Sequence, residues 1–289
     1  MYKSLEEICL QEEESGKPFW QIVMEDDCRE QGISTDESFE NMRKMYAAMK
    51  NADADYDKDR RSASGLAGMD GYRMQKMREE GKNICGSLIG KVMEKAIKMG
   101  ESNACMKRIV AAPTAGSCGV IPAVYLTLME EKNIEEDEIV KALYVAAGIG
   151  EVIASKASLA GAEGGCQAEI GSASAMAAGG VAYLMHGDGR RIINASALAI
   201  KSLLGLVCDP VAGLVEVPCI KRNVIGAVNA LTCADMSMAG IDSRVKPDEV
   251  IDAMRNVGRA IPESLRETGE GGLASTPSAA EVRKRITAV

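Results

Sequence analysis

Residues 161–185 read GAEGGCQAEIGSASAMAAGGVAYLM. From Gln167 to Met185 the stretch is apolar or small nearly all round, which predicts a central buried helix. Ser172 and Ser174 lie inside it, where serine hydroxyls bond back to carbonyls of the preceding turn. The glycines of GAEGG break the chain ahead of it, so Cys166 stands at a helix end. A second segment, CDPVAGLVEVPCIKRN, occupies 208–223. There Cys208 precedes Asp209-Pro210 and Cys219 follows Pro218. Glycine and proline stop or start helices, so all three cysteines are expected at loops or helix ends. A thiol so placed can reach a shared point, and a helix N-terminus favours its thiolate.

Three thiolates suit a soft metal centre. Iron–sulfur clusters usually take four cysteines, so three would leave one iron without a protein ligand. The separations, 42 residues from Cys166 to Cys208 and 11 from Cys208 to Cys219, are too long for a zinc knuckle. The plain alternative is three buried cysteines acting as small hydrophobes. Spacing alone leaves both readings open.

Longer motifs narrow the choice. GAEGGCQAEIGSASAMAA, LGLVCDPVAGLVEVPCIKRN and, upstream, APTAGSCGVIPAV at 112–124 closely resemble the alpha chain of iron–sulfur-dependent L-serine dehydratases. The likeness runs from about Ser62 to about Pro277. It implies that Cys166, Cys208 and Cys219 hold a [4Fe–4S] cluster with one open iron site. It also implies conversion of L-serine to pyruvate and ammonia by β-elimination, and membership of amino-acid degradation. In the family a Ser-His-Thr-type motif lies on a separate beta chain or N-terminal domain. Nothing like it occurs here, so a beta subunit is expected as partner and no general base is assigned in this chain. Some family members end in a cysteine that enters the active site. This chain ends in Val289, with no cysteine after Cys233, so that ligand is expected to be absent.

Composition sets the bounds. The 289 residues hold 34 Lys+Arg and 42 Asp+Glu, net −8, without a basic run. Nucleic acid and anionic membranes are therefore poor partners. The acidic N-terminus lacks an apolar signal region, and the low-polarity run 173–185 is too short to span a bilayer. Nine scattered cysteines point to a reducing cytoplasm rather than a disulfide framework. Aromatic residues are only 3%, so Ala, Leu, Met, Ile and Val fill the core. Small side chains let helices approach closely. The fold class is all-α: an Ala/Gly-rich helical domain with a central buried helix and cluster-binding loops.

Two regions follow: a charged helical arm over 1–60 and a catalytic domain over 61–289. In the arm, Leu5 with Ile8, and Met42, Met45, Tyr46 and Met49, keep helical spacing. Ser34 with Glu37 fits a capping box. Residues 51–65 read as a linker or loop. SGLAGMDGYR at 64–73 resembles an SGLTGGDAKK-like family stretch near the substrate. It keeps Ser64, Gly65, Leu66, Gly68 and Asp70 and departs at Ala67, Met69, Gly71, Tyr72 and Arg73. A helix is expected over 82–99, with Ile84, Leu88, Val92, Ala96 and Met99 on one stripe and Gly100 as its C-cap.

The loop before Val120 carries hydroxyls and free backbone N–H groups suited to a carboxylate. An ordinary helix start capped by Ser117 is the plain alternative. With the resemblance, Thr114, Ser117 and Gly119 become candidate substrate contacts. Cys118 stands close by but is not assigned as a ligand. Helices are expected over 120–130, 137–147 and 151–159, with Gly148 and Gly150 as interruptions, and again over 190–204 and 224–239. His186, the single histidine, falls in a glycine-rich turn and reads as a capping or surface residue. Arg222 and Asn223 join the substrate-binding candidates; with Lys221, Arg222 can also offset thiolate and sulfide charge. Pro247 opens a helix at its first position. The tail from Gly269 reads as loop.

Three rival functions remain. L-cysteine desulfuration could use the same scaffold. A pyridoxal-phosphate dehydratase would use Lys156 in ASKASLAG, but no tetraglycine phosphate loop supports it, and no PLP is expected. A non-catalytic helical scaffold that only binds a partner is the third.

Overall fold

The Ala/Gly composition after Cys166 builds what it predicts. The computed structural model describes residues 2–287. In chain order its helices are α1 (Leu5–Ser15), α2 (Phe19–Gln31), α3 (Thr35–Ala54), α4 (Asp70–Glu79), α5 (Gly86–Ala104), α6 (Val120–Lys132), α7 (Glu136–Lys156), α8 (Gly161–Gly164), α9 (Ser172–Leu184), α10 (Gly189–Leu203), α11 (Cys219–Met238), α12 (Pro247–Ala260) and α13 (Pro277–Thr287). Among the described residues there is no strand, only an isolated parallel bridge between Cys208 and Arg266. The fold is all-α. Among the described residues no helix is long and apolar enough to cross a membrane. Val289, on which the expectation about a terminal cysteine rests, lies outside the described residues.

Helix α9 is the centre. Residues 172–182 are all buried, and α6, α7, α10 and α11 pack around them. Glycine permits the close approach. Gly180 lies against Tyr125 of α6, whose fully buried ring and hydroxyl fill the place a Cβ would take. The start of the predicted helix differs: residues 167–171 form a π-turn before regular α-helix begins. Ser174 donates to the Gly226 carbonyl of α11 (2.8 Å), across to a neighbour rather than back along its own helix.

Gly148 and Gly150 do not interrupt α7, which runs unbroken to Lys156. A Cβ at Gly148 would stand 2.5 Å from Val23 of α2, and one at Gly150 would stand 2.7 Å from Met176 of α9. Tertiary approach, not helix breaking, accounts for both. Helix α5 also differs from its forecast. It starts at Gly86, leaves Ile84 fully exposed, and continues through Gly100, which faces Ile220 at the start of α11. Helix α3 runs on to Ala54, into the expected linker. The tail is not loop alone: it closes with a 3₁₀ turn at Gly272–Ser275 and with α13.

Two terminal signals are as read. The Ser34 Oγ accepts from the Glu37 N–H (3.2 Å), and Pro247 stands in the first turn of α12. The N-terminal helices bury Leu5, Ile8, Phe19, Tyr46 and Met49 in the same apolar cluster as α9. Asp248 of α12 accepts from the N–H groups of Leu5 and Glu6 (3.1 Å each).

Gly180→Ala should lower stability by about 2 kcal/mol, the usual cost of overpacking a filled core. Adding Tyr125→Phe should recover part of that loss. Urea unfolding of the two variants checks this; an unchanged midpoint for Gly180→Ala would contradict the packing.

Candidate active site

The hairpin of α9 and α10 returns the chain to where it left, so residues 166 and 208 meet although 42 positions separate them. Gln167 fastens the two loops. Its N–H donates to the Leu206 carbonyl (2.9 Å), its Oε1 accepts from the Gly205 N–H (2.9 Å), and its Nε2 donates to the Met254 carbonyl of α12 (3.0 Å). Cys208 is held from the other side. Its N–H donates to Leu265 O (2.9 Å), and its carbonyl accepts from Glu267 N (2.8 Å). Cys219 begins α11 behind Pro218. Both site loops carry a cis X-Pro bond, at Ala112-Pro113 and Val217-Pro218.

Cys166, Cys208 and Cys219 are free thiols, buried, and electrostatic neighbours of one another. Burial pushes Cys166 up to about 12 and Cys219 to about 11, and raises Cys208 further. Arg222 counters this at Cys166 and Cys219. The trio does not close to within 4.8 Å, a distance that among the described residues groups only Asp26, Glu30 and Glu151. Unpaired thiols from three chain segments, with a guanidinium beside them, are a donor set that fits an iron–sulfur cluster.

Arg222 serves that centre rather than open solvent. It ion-pairs with Asp209 (2.8 Å), donates to the Val207 carbonyl (2.7 Å) and lies near enough to Cys166 to favour its thiolate. Lys221 instead pairs with Asp70 of α4 (2.8 Å). Asp209 also accepts from the Leu273 N–H (2.9 Å), which ties the tail to the cysteine loop. Glu216 accepts from Ser62 (2.8 Å) and Ser64 (2.7 Å), so the 62–70 loop hangs from the segment that ends in Cys219.

Asn223 joins the two site loops. Its Nδ2 donates to Gly116 O (2.8 Å) and Cys219 O (3.0 Å), and its Oδ1 accepts from Gly119 N (2.8 Å). Ser117 does not cap α6; its hydroxyl turns back to the Thr114 N–H (3.3 Å). The N–H groups of Ala115 and Gly116 have no hydrogen-bond partner among the described residues. Cys118 turns its sulfur to the Met99 carbonyl of α5. His186 is exposed beyond α9, beside Glu138, about 20 Å of helix from Cys166. Lys156 ion-pairs with Asp248 (3.4 Å) and Asp252 (3.5 Å) of α12.

The sequence reading missed Glu169. It is the one charged residue between 167 and 185, and that isolation was the available signal. Its Oε1 accepts from the Thr114 hydroxyl (2.7 Å). Burial raises its carboxyl above the usual range, and the Thr114 hydrogen bond partly offsets this. A Cβ at Gly161 would stand 3.0 Å from Glu169, 3.1 Å from the Cys208 sulfur and 3.3 Å from Glu267. Glu267, also missed, holds φ at +65, a left-handed conformation that non-glycine residues adopt rarely and often at functional sites.

Comparison with known proteins identifies the family. The family model described as "Serine dehydratase alpha chain" matches residues 14–274. The probable L-serine dehydratase alpha chain of Bacillus subtilis is 48% identical over 225 residues, 78% of this chain and 75% of that protein. The L-serine dehydratase alpha chain of Peptoniphilus asaccharolyticus is 39% identical over 273 residues, 94% of this chain and 93% of that one. The L-serine dehydratase of Helicobacter pylori strain 26695 is 41% identical over 207 residues, 71% of this chain but 45% of that protein. This chain belongs to the serine dehydratase alpha chain family.

Proposed function

We propose that this chain is the alpha subunit of a two-chain lyase that converts L-serine to pyruvate and ammonia, with a [4Fe–4S] cluster on Cys166, Cys208 and Cys219. The gathering of three unpaired, buried thiols from distant segments into one neighbourhood beside Arg222 carries the reading. When bound, such a cluster supplies a Lewis-acidic iron that has no protein ligand, able to draw off the β-hydroxyl.

The chain's own residues do the rest. Arg222 offsets the negative charge at Cys166 while Asp209 keeps its guanidinium in place. The 114–119 loop is the carboxylate seat: the N–H groups of Ala115 and Gly116 are available, and the Thr114 and Ser117 hydroxyls stand beside them. Asn223 fixes that loop against the Cys219 helix, so seat and thiols keep one geometry. Burial of the three thiols keeps water from the sulfur side of the site.

The acceptor of the α-proton comes from a beta-type partner in this reading, since His186 lies at the far end of α9. The Helicobacter relative, of which this chain covers under half, is long enough to hold such a region in one polypeptide. The enzyme acts in the cytoplasm, where thiols stay reduced.

Anaerobically prepared protein should hold about four iron and four sulfide per chain, and the Cys166→Ser, Cys208→Ser, Cys219→Ser triple variant near none. Iron analysis and the visible absorption band measure both; iron-free parent protein would return the thiols to core packing. The isolated chain should form little pyruvate from L-serine, and an added beta-type chain should raise turnover at least a hundredfold, about the share one positioned acid–base group supplies. A coupled pyruvate assay decides it, and full turnover by the chain alone would refute the partner.

A further inference from the structure

Glu169 is the group at the site whose chemistry the carboxylate seat and the thiols leave unused. Glu101, Glu216 and Asp209, by contrast, each have several partners. Glu101 accepts from the N–H groups of Gly68, Asp70 and Gly71 and from the Tyr56 hydroxyl, Glu216 from two serines, and Asp209 faces Arg222 and Leu273. Glu169 has one hydrogen bond, from Thr114, and among the described residues no lysine or arginine forms an ion pair with it.

The absence of side chains at Gly116 and Gly161 lets the carboxylate lie directly against the backbone of the 114–119 loop and of α8. A Cβ at Gly116 would stand 2.8 Å from Oε1, and one at Gly161 would stand 3.0 Å from Oε2. Glu267 reaches the same point over Gly161, held there by the Cys208 bridge and a left-handed backbone. Glu267 is exposed, so the repulsion between the two carboxylates is felt at half-buried Glu169, and a compact cation with several N–H donors relieves it. An α-amino acid brings such a group next to the carboxylate that the 114–119 loop receives.

We propose that Glu169, backed by Glu267, binds the α-ammonium of the substrate, so that this chain selects amino acids over the corresponding hydroxy acids. The proposal rests on the dehydratase reading for the identity of the substrate, and on geometry for the ammonium.

Calorimetric titration of the full chain under anaerobic conditions tests it, with L-serine and with 3-hydroxypropionate, which keeps the carboxylate and β-hydroxyl but has hydrogen in place of the amine. The parent should bind L-serine more tightly than 3-hydroxypropionate. Glu169→Gln should weaken L-serine about ten- to hundredfold, the range for a hydrogen bond to a charged group, and move 3-hydroxypropionate by no more than about twofold. Glu169→Asp, which keeps the charge but withdraws it, should fall between, and Glu267→Gln should weaken L-serine by a smaller factor. Equal losses for both ligands, no loss, or no L-serine binding by the parent would overturn the proposal. Glu169-dependent binding without pyruvate from the assembled enzyme would sink the dehydratase reading alone. Pyruvate formation with a KM indifferent to Glu169→Gln would sink the ammonium site alone.

Discussion

The side chain of Gln167 is the interaction on which the site depends. It is almost wholly buried, and each of its polar ends is used: one holds the Cys208 loop, the other α12. A buried amide that lost these partners would leave groups unpaired on three elements, at about 1–3 kcal/mol each. The close packing of α9 and α10 makes the staple possible. Ala173, Ala177, Ala195 and Ala199 are fully buried, and these small residues bring the two helices near enough for their loops to touch. Sequence separations of 42 and 11 residues thus become one cluster of thiols.

A second constraint is the use of buried carboxylates as hubs. Glu101 gathers three N–H groups at the start of α4, Glu216 gathers two serines, and Asp209 gathers the tail and Arg222. Each replaces solvation with several hydrogen bonds, which is what lets a charged group stay inside. Together they hang the 62–70 loop and the 263–276 segment on the cysteine loops. Departures at Ala67, Met69 and Gly71 leave this suspension intact, because backbone N–H groups and the retained Ser64 carry it.

Much of the fold was legible because helical period and caps are local. Ser34 and Pro247 mark their helix starts, and the apolar run after Gly171 marks the core. Three of the departures share a cause: glycine inside a helix marks contact rather than a break. Gly100, Gly148 and Gly150 lie inside helices because Ile220, Val23 and Met176 press on them, and no local pattern shows that. Ile84 fits the helical stripe of α5 yet precedes the helix, since periodicity cannot tell where an apolar residue meets solvent. At the site, glycine and proline placed the three cysteines at element ends, as found. The partners of Glu169 were hidden because Thr114, Gly161 and Glu267 come from three distant segments.

The charge inventory explains why these features occur together. Three thiols, Glu169 and Glu267 surround a space where Arg222 supplies the nearby positive charge, and that charge is already shared with Asp209. With the thiols protonated the balance is tolerable, which is what burial enforces by raising all three. Ionised, they would need cationic compensation beyond Arg222, the cation that lies beside them among the described residues. In the proposed cluster, metal would supply it at the sulfurs in place of protons. The two carboxylates lie on the flank beside Gly161 and Gly116. The same excess of negative charge is therefore what the proposed cluster and the proposed ammonium site would each relieve, one at the sulfurs and the other at the carboxylates.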